Sequence, residues 1–226
     1  MLLNEAKIRD LIREALSAIS NDRSNSSSRA TVDVGGEIES LVGLEFESVS
    51  NDQAAKIAIE EFATWKEGKL KEDQEEAYPL LKKYWDGLGD WPESKWKPTE
   101  TAWSAAFISF VMKKSGDDFY NSAAHTTYAT KALQNRQKLA GDPKSLAGVQ
   151  HVLFLKGEAE PTIGDVMFYV REGSLEGWMA GGGGQKASHT DIYIGNNKGI
   201  GGNISDSVSK SSAMSKHSAI IKKINI

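Results

Sequence analysis

Residues 99–116 (TETAWSAAFISFVMKKSG) constrain the fold more than any other segment of this chain. Their apolar residues follow helical spacing on nearly every face, and a helix that is apolar all round lies inside a protein. Lys113 and Lys114 suit the negative end of a helix dipole, and Gly116 is a residue at which helices commonly end. The segment therefore predicts a buried helix around which the rest of the chain packs.

The patterns on either side of this segment indicate the fold class. Helical patterns occupy much of residues 52–87 and about 125–139, separated by charged or Gly- and Pro-containing stretches. Short apolar runs typical of strands follow, at VLFLKG, GDVMFYVRE, HTDIYIG, GIGGNISDSVS and SAIIKKINI. Because the helices come first and the strands afterwards, we predict an α+β domain with helices packed on an antiparallel sheet.

The N-terminal region differs from the rest. Residues 4–19 have amphipathic helical spacing, and residues 20–32 are polar and Ser-rich. We therefore predict a docking helix over 1–19, a linker and lead-in over 20–49, and the folded domain over 50–226. The polar face of the first helix mixes both charge signs, which favours docking on a protein over lying on a membrane. Its start lacks a continuous apolar core, so we expect no signal peptide and synthesis in the cytoplasm.

Composition excludes several functions. The chain has no cysteine, which rules out thiolate catalysis, disulfides and Cys-ligated zinc. The net charge of −4 does not favour a nucleic-acid partner. No apolar run approaches the ~20 residues that span a bilayer. Because no HExxH-like cluster occurs either, we expect neither a metal nor another cofactor.

Ser104 and His189 are the main candidates for catalysis. Ser104 lies in the first turn of the buried helix, where free N–H groups and the dipole stabilise developing negative charge. His189 lies in SHTDIYIG, where a histidine on a rigid strand can act as a general base. Each also has an ordinary structural interpretation, since serine often caps helices and strand histidines are often only hydrogen-bonded.

Two further polar residues are candidates for orienting His189. Asp191 shares its strand face and can tune the charge of the ring. Asn203, in IGGN, can hold the imidazole tautomer as the third member of a triad, although asparagine beside glycine is more often a turn residue.

Four other residues are candidates for contacting a substrate. His125, in NSAAHTTY, is a second polar group for the cleft, and Trp103 precedes the candidate nucleophile. Asp165 heads the strand GDVMFYV, where it can equally fix a turn. Trp178 lies in GSLEGWMAGGGG, which we interpret as a mobile loop that precedes His189. That glycine run lacks the GK[ST] ending of a phosphate loop. Most of the tryptophans between Trp65 and Trp103 are expected in the core.

These motifs resemble a known superfamily. A candidate nucleophile on a buried helix, a strand headed by GD, and the strand HTDIYIGN resemble the NlpC-type branch of the papain-like hydrolases. The resemblance implies a papain-like fold and a hydrolase with Ser104 where such enzymes carry cysteine. Counting from His189 places the third catalytic position of that branch at Gly201, two residues before Asn203.

A narrower resemblance covers more of the chain. WSAAFISFVMKKSG, NSAAHTTY, PTIGDVMFYVRE, HTDIYIG and IGGNISDSVS resemble the domain of unknown function 2272 family, over roughly residues 50–215. The N-terminal LNEAKIRDLIREAL is similar to short leaders of tailed-phage proteins, which implies docking on a virion and action at the cell envelope.

Three functions remain open at this point. The first is a cell-wall hydrolase, such as an endolysin, that cleaves an amide bond of peptidoglycan with a Ser–His site. The second is a non-catalytic papain-like module of a phage particle that binds cell wall or serves as a structural component. The third is a serine esterase or acyltransferase acting on another acyl substrate, which would suit a serine nucleophile.

Overall fold

The structure is a computed structural model that describes residue 41 and residues 45–89, 91–142, 146, 148–184 and 187–225. Over these residues the chain is α+β, with six α-helices and seven strands. The expected class is therefore confirmed. The predicted N-terminal helix, the Ser-rich linker and the lead-in up to residue 40 lie outside the described residues, and the domain boundaries stay a prediction.

The helices lie where the apolar periodicity predicted most of them. Their bounds are α1 (Asp52–Thr64), α2 (Tyr78–Asp86), α3 (Ser104–Lys114), α4 (His125–Gly141), α5 (Leu175–Ala180) and α6 (Ala213–Lys216). Asn51 caps α1, because its side-chain oxygen accepts a hydrogen bond from the N–H of Ala54 at 2.9 Å. The charged stretch between α1 and α2 is not helical throughout and contains two short 3₁₀ turns, Lys66–Gly68 and Glu75–Ala77.

The strands form one open antiparallel sheet. They are β1 (Glu47–Ser48), β2 (Val149–Leu155), β3 (Val166–Val170), β4 (Ser188–Tyr193), β5 (Gly199–Gly201), β6 (Ser209–Ser211) and β7 (Ala219–Asn225). The order across the sheet is β1-β7-β3-β4-β5-β6, and β2 also pairs with β7. Strand β4 is central and buried along almost its whole length, so its side chains contact the helical layer on fixed faces.

Helix α3 is the buried helix that the sequence predicts. Eight of its 11 residues are buried, and it packs against α1, α2 and β4. The ring of Trp103, directly before α3, stacks on Trp65 with centroids 4.9 Å apart and on Tyr84 at 5.9 Å. Trp65, Trp85, Trp96 and Trp103 are each at most 2% exposed, which confirms the expectation that most tryptophans of this region are core residues.

The segment between α1 and α2 joins the start of α3 to the turn after β5. The carboxylate of Glu72 accepts a hydrogen bond from the indole Nε1 of Trp103 at 2.5 Å, and its backbone N–H donates to the carbonyl of Asp206 at 2.9 Å. Gly68 approaches Ser209 so closely that a Cβ at position 68 would lie 2.6 Å from its Oγ. This segment therefore contacts both the residue before α3 and the region after β5, which are far apart in sequence.

Two local expectations were wrong. The stretch GSLEGWMA, interpreted as a loop, contains helix α5, which is capped by the Ser174 hydroxyl accepting from the N–H of Gly177 at 3.0 Å. The run GIGGNISDSVS, predicted as a strand, begins with a strand only at Gly199–Gly201, and Asn203 follows in a turn with φ of 55°. No helix of the described ranges has both the length and the apolar character needed to cross a bilayer.

Candidate functional site

A cleft of about 290 Å³ opens where the first turns of α3 and α4 meet the end of β4. It is lined by small and polar residues: Ala102, Ser104, Ala105, Ala123, Ala124, His125, Thr126, Arg171, Ala187, Ser188 and Asn203. Ser104 is 5% exposed, so a substrate would reach its hydroxyl through this cleft. The buried helix thus places its first residue at the cleft, while most of its other residues pack in the core.

The hydroxyl of Ser104 is hydrogen-bonded to an imidazole, but the ring is that of His125. Ser104 Oγ and His125 Nε2 lie 2.9 Å apart. Neither ring nitrogen of His189 has a hydrogen-bond partner among the described residues, so the direct Ser104–His189 contact that we expected is not formed. His125, predicted only as a cleft residue, is the imidazole in contact with the candidate nucleophile.

Burial and neighbouring charge keep the His125 ring neutral. Burial is the largest cause that lowers its pKa well below the ordinary value, and the charges of His189 and Arg171 lower it further. A hydrogen bond to the backbone of Ser188 opposes this shift. Helix α4 is held against β4 by a second contact, between the Tyr128 hydroxyl and Thr190 Oγ1 at 2.5 Å. The ring is therefore held in place by these contacts and is unprotonated at neutral pH.

His189 and Asp191 form a second, deeper pair on the same face of β4. Asp191 Oδ1 lies 3.3 Å from His189 Nε2, close enough for an ion pair, although the two atoms are not aligned as a hydrogen bond. Asp191 Oδ2 accepts a hydrogen bond from the Ser211 hydroxyl at 2.6 Å. The His189 ring contacts that of His125 edge-on, with centroids 5.4 Å apart. Ser104, His125, His189 and Asp191 thus follow one another inward from the cleft.

Gly201 makes room for the carboxylate of Asp191. In the β4–β5 register Ile192 lies opposite Ile200, which places Gly201 opposite Asp191. A Cβ at position 201 would lie 2.1 Å from Asp191 Oδ1 and 3.1 Å from His189 Nε2. The position that the superfamily resemblance assigns to a third polar residue therefore holds no side chain here, and a carboxylate from the neighbouring strand fills the space beside the imidazole.

Comparison with known proteins places this site in a family. The family model described as "Uncharacterized protein conserved in bacteria (DUF2272)" matches residues 87–223. The chain belongs to the DUF2272 family. The match confirms the narrower resemblance and includes Ser104, His125, His189 and Asp191. No curated protein matches the chain.

The other residues predicted for the site of this DUF2272 protein are distributed differently. Asn203 lines the cleft, but from a turn rather than a strand. Trp103 is wholly buried and bonded to Glu72, so it does not line the cleft. Trp178 is 3% exposed within α5, where its Nε1 donates to the carbonyl of Gly184 at 3.0 Å. Neither tryptophan is placed to stack on a substrate in the cleft.

Asp165 also lies away from the cleft, and its role in the structure is the turn before β3. Its carboxylate accepts hydrogen bonds from the N–H of Thr162 at 2.7 Å and from the buried ammonium of Lys222 at 2.6 Å. Burial raises its pKa against the opposing effect of Lys222. The structure thus supports the alternative interpretation of Asp165, in which its side chain fixes the turn before the strand.

Arg171 is the cleft residue that the sequence analysis missed. It directly follows β3, and its N–H donates to the carbonyl of Ala187 at 2.8 Å, which extends the β3–β4 pairing to the cleft. The signal was present in the strand pattern, because Arg171 lies two residues after Tyr169, the partner of His189 in the β3–β4 register. An arginine just after an apolar strand is nevertheless most often a solvated end residue.

A group with metal-ligand chemistry lies outside the cleft of this DUF2272 protein. Ligand atoms of Asp117, Asp118 and His151 lie within 4.8 Å of one another. The ammonium of Lys223 already contacts both carboxylates, at 3.1 Å to Asp117 and 2.9 Å to Asp118. His151 Nε2 lies 2.9 Å from Asp117. Because a lysine already supplies the positive charge, we interpret the group as an ion-pair cluster that joins the segment after α3 to β2 and β7.

Proposed function

We propose that this protein is a hydrolase that cleaves an amide bond of peptidoglycan through an acyl-enzyme formed on Ser104. The observation that carries the proposal is the 2.9 Å contact between Ser104 Oγ and His125 Nε2 at the bottom of an open cleft. A serine hydroxyl is a weak nucleophile unless an adjacent base removes its proton, and this contact supplies that base. The substrate class and a papain-like relationship rest on the resemblance of the β3, β4 and α3 motifs to the NlpC-type branch.

The proposed reaction has two halves. His125 Nε2 takes the proton of Ser104 as Oγ attacks the amide carbonyl carbon, and then gives it to the nitrogen as the C–N bond breaks. The released amine leaves an ester on Ser104. Water, deprotonated by His125, then attacks the ester and frees the carboxylate and the serine hydroxyl. A neutral His125 is required at the start of each half, which agrees with the lowered pKa of its ring.

The start of α3 suits the negative charge that develops on the carbonyl oxygen. The residue before the helix is Trp103, whose side chain makes no capping hydrogen bond to the first turn. The N–H groups of the first turn are therefore available to an oxyanion, and the helix dipole adds to their effect. Ser104 and Ala105 both line the cleft, so these donors lie beside the proposed nucleophile.

His189 and Asp191 take a positioning role in this proposal. The sequence analysis assigned the base to His189 and the third member to Asn203, whereas the contacts favour His125 as the base. The His189 ring contacts the His125 ring edge-on, with centroids 5.4 Å apart, and Asp191 lies beside His189. In this proposal the pair holds the His125 ring in the orientation that the proton transfer needs.

Purified protein incubated with bacterial sacculi tests the proposal, with the released fragments analysed by mass spectrometry. We expect new amino groups from the wild type, and a loss of at least about a thousandfold in rate for Ser104→Ala. His125→Asn should lose about a hundredfold to ten-thousandfold. Ser215→Ala, an exposed serine outside the cleft lining, is the control and should retain full activity.

Three outcomes would redirect the proposal. Release that depends on His189 but survives His125→Asn would return the base to His189. Binding to sacculi without release would favour the non-catalytic module, which the replacement of cysteine by Ser104 also favours. Turnover of acyl esters without action on sacculi would favour the esterase or acyltransferase.

Delivery to the cell wall is a separate part of the proposal. We propose that the predicted helix over residues 4–19 docks the protein on a larger particle, such as a tailed-phage virion, because its leader resembles those of tailed-phage proteins. Removal of residues 1–32 should abolish association with purified virions while leaving hydrolysis of sacculi unchanged. Unchanged association of the shortened protein would refute the docking role.

A further inference from the structure

Arg171 gives the cleft a positive charge that no carboxylate of the described residues neutralises. It is the single Lys, Arg, Asp or Glu among the lining residues of the cleft. The ion pairs among the described residues join other partners, and the side chain is exposed to solvent. Asp191, the nearest acidic group of the site, is wholly buried behind His189 and does not line the cleft.

The position of Arg171 beside the reacting groups is fixed by the sheet. Its N–H bonds to the carbonyl of Ala187, directly before Ser188, and Ser188 is the residue whose backbone is bonded to His125. The charge of Arg171 also acts on His125, since it lowers the pKa of that ring. The main chain of Arg171 is thus held on the strand pair that carries His189, and its guanidinium lies within electrostatic reach of the proposed base His125.

The remaining surface of the cleft contributes little bulk and no negative charge. Five of its lining residues are alanines, and the others in the described part are short polar side chains, an imidazole and an asparagine amide. A substrate group placed against Arg171 would therefore meet neither steric obstruction nor a competing carboxylate. A guanidinium matches a carboxylate in shape and donates to it through two parallel hydrogen bonds.

We propose that Arg171 binds a carboxylate of the substrate and makes the cleft selective for acyl peptides that carry this group within one residue of the cleaved amide. This inference rests on the proposed hydrolase function, because it treats the bound peptide as a substrate. Binding of the carboxylate by Arg171 can nevertheless be tested without hydrolysis. The bound carboxylate would also offset the charge of Arg171, so the correct substrate would make His125 more basic at the moment of proton transfer.

Matched pairs of peptides test this selectivity. Each pair differs only in a free carboxylate or its carboxamide within one residue of the central amide. Binding is measured by calorimetry on Ser104→Ala protein, so that turnover does not interfere. We expect the carboxylate peptides to bind about tenfold to a hundredfold more tightly than the carboxamides. Arg171→Gln should remove this difference, and Arg171→Lys should keep only part of it because lysine is a point charge without the fork.

Two controls separate recognition from general charge effects. Lys131→Gln removes the same charge from an exposed position of α4 that does not line the cleft, and it should leave the preference unchanged. Inorganic phosphate is added as a competitor. Competition by phosphate as strong as that by the carboxylate peptides would show a general anion site and would overturn the proposed carboxylate selectivity.

The failure of this inference is distinguishable from the failure of the proposed function. Equal binding of both members of each pair, with hydrolysis of both by the wild type, refutes the role of Arg171 and leaves the hydrolase standing. A preference that disappears in Arg171→Gln, without hydrolysis of any peptide by the wild type, supports the anion site and refutes the hydrolase. Arg171 is exposed, so Arg171→Gln should melt at the wild-type temperature.

Discussion

Replacing Gly201 by alanine tests the arrangement of the inner pair directly. The added Cβ would lie 2.1 Å from Asp191 Oδ1, 3.0 Å from Ile204 Cδ1 and 3.1 Å from His189 Nε2. The carboxylate would have to move by about 0.9 Å merely to reach the 3.0 Å limit below which real Cβ contacts essentially never occur. Asp191 is wholly buried, so it has no solvent into which to move.

The cost of Gly201→Ala follows from these contacts. Overpacking of a buried site costs about 1–3 kcal/mol. Displacing the carboxylate also weakens the hydrogen bond that it accepts from Ser211, and leaving a buried polar group unsatisfied costs about 1–3 kcal/mol. Together we expect a loss of about 2–6 kcal/mol in the free energy of unfolding, the upper part applying only where the hydrogen bond is lost completely. At about 2–4 °C per kcal/mol for a chain of this length, that is a fall of about 4–24 °C in Tm.

Thermal unfolding followed by circular dichroism measures this effect, with Gly141→Ala as the control. Gly141 ends α4, and a Cβ there would meet no atom within 4 Å. Its replacement should be neutral or stabilise by about 0.4–1 kcal/mol. Wild-type melting of Gly201→Ala would show that the Asp191 carboxylate is not beside His189, and the positioning role of that pair would then be withdrawn.

Two further predictions concern buried charge. Because the pKa of His125 is lowered in the folded protein, the unfolded chain binds this proton first as the pH falls, so wild-type stability should decrease from about pH 7.5 to about pH 5.5. His125→Asn should show a smaller decrease in Tm over that interval, and a parallel decrease of both proteins would contradict the assigned pKa direction. Lys222→Met leaves the buried Asp165 carboxylate without its cation and should cost about 3–5 kcal/mol in urea denaturation. The double variant Lys222→Met, Asp165→Leu should recover much of that loss, and no recovery would show that packing rather than charge decides the cost.

The fold was largely predictable because its strongest signals are local. Burial can be inferred directly from the apolar residues on nearly every face of α3. The same holds for the short apolar runs that form β3, β4 and β7. Helix α5 was missed because a segment of six residues that includes Gly177 carries no readable periodicity. Its formation depends instead on packing of Trp178 against Phe168, whose ring centroids lie 5.2 Å apart.

The candidate site was predictable only in part. The sequence indicated which residues lie at helix starts and on one face of β4, and the structure brings Ser104, His125 and Asn203 to one cleft. It could not indicate which imidazole contacts Ser104, because that depends on how the start of α4 meets the start of α3. The distance between Ser104 and each imidazole depends on how the two helices pack on the sheet. The apolar periodicity within either helix carries no information about that packing.

The hydrogen bonds made by Glu72 bear on where the folding unit begins. The family match starts at residue 87, yet Glu72 lies before that point and holds both Trp103, next to the proposed nucleophile, and the loop that carries Asn203. A fragment that begins at residue 87 would expose the indole of Trp103 and lose the stacking of Trp65 on it. The family match and the folding unit therefore begin at different residues, and an expressed fragment should start no later than Glu47 so that it keeps β1 and the Asn51 cap of α1.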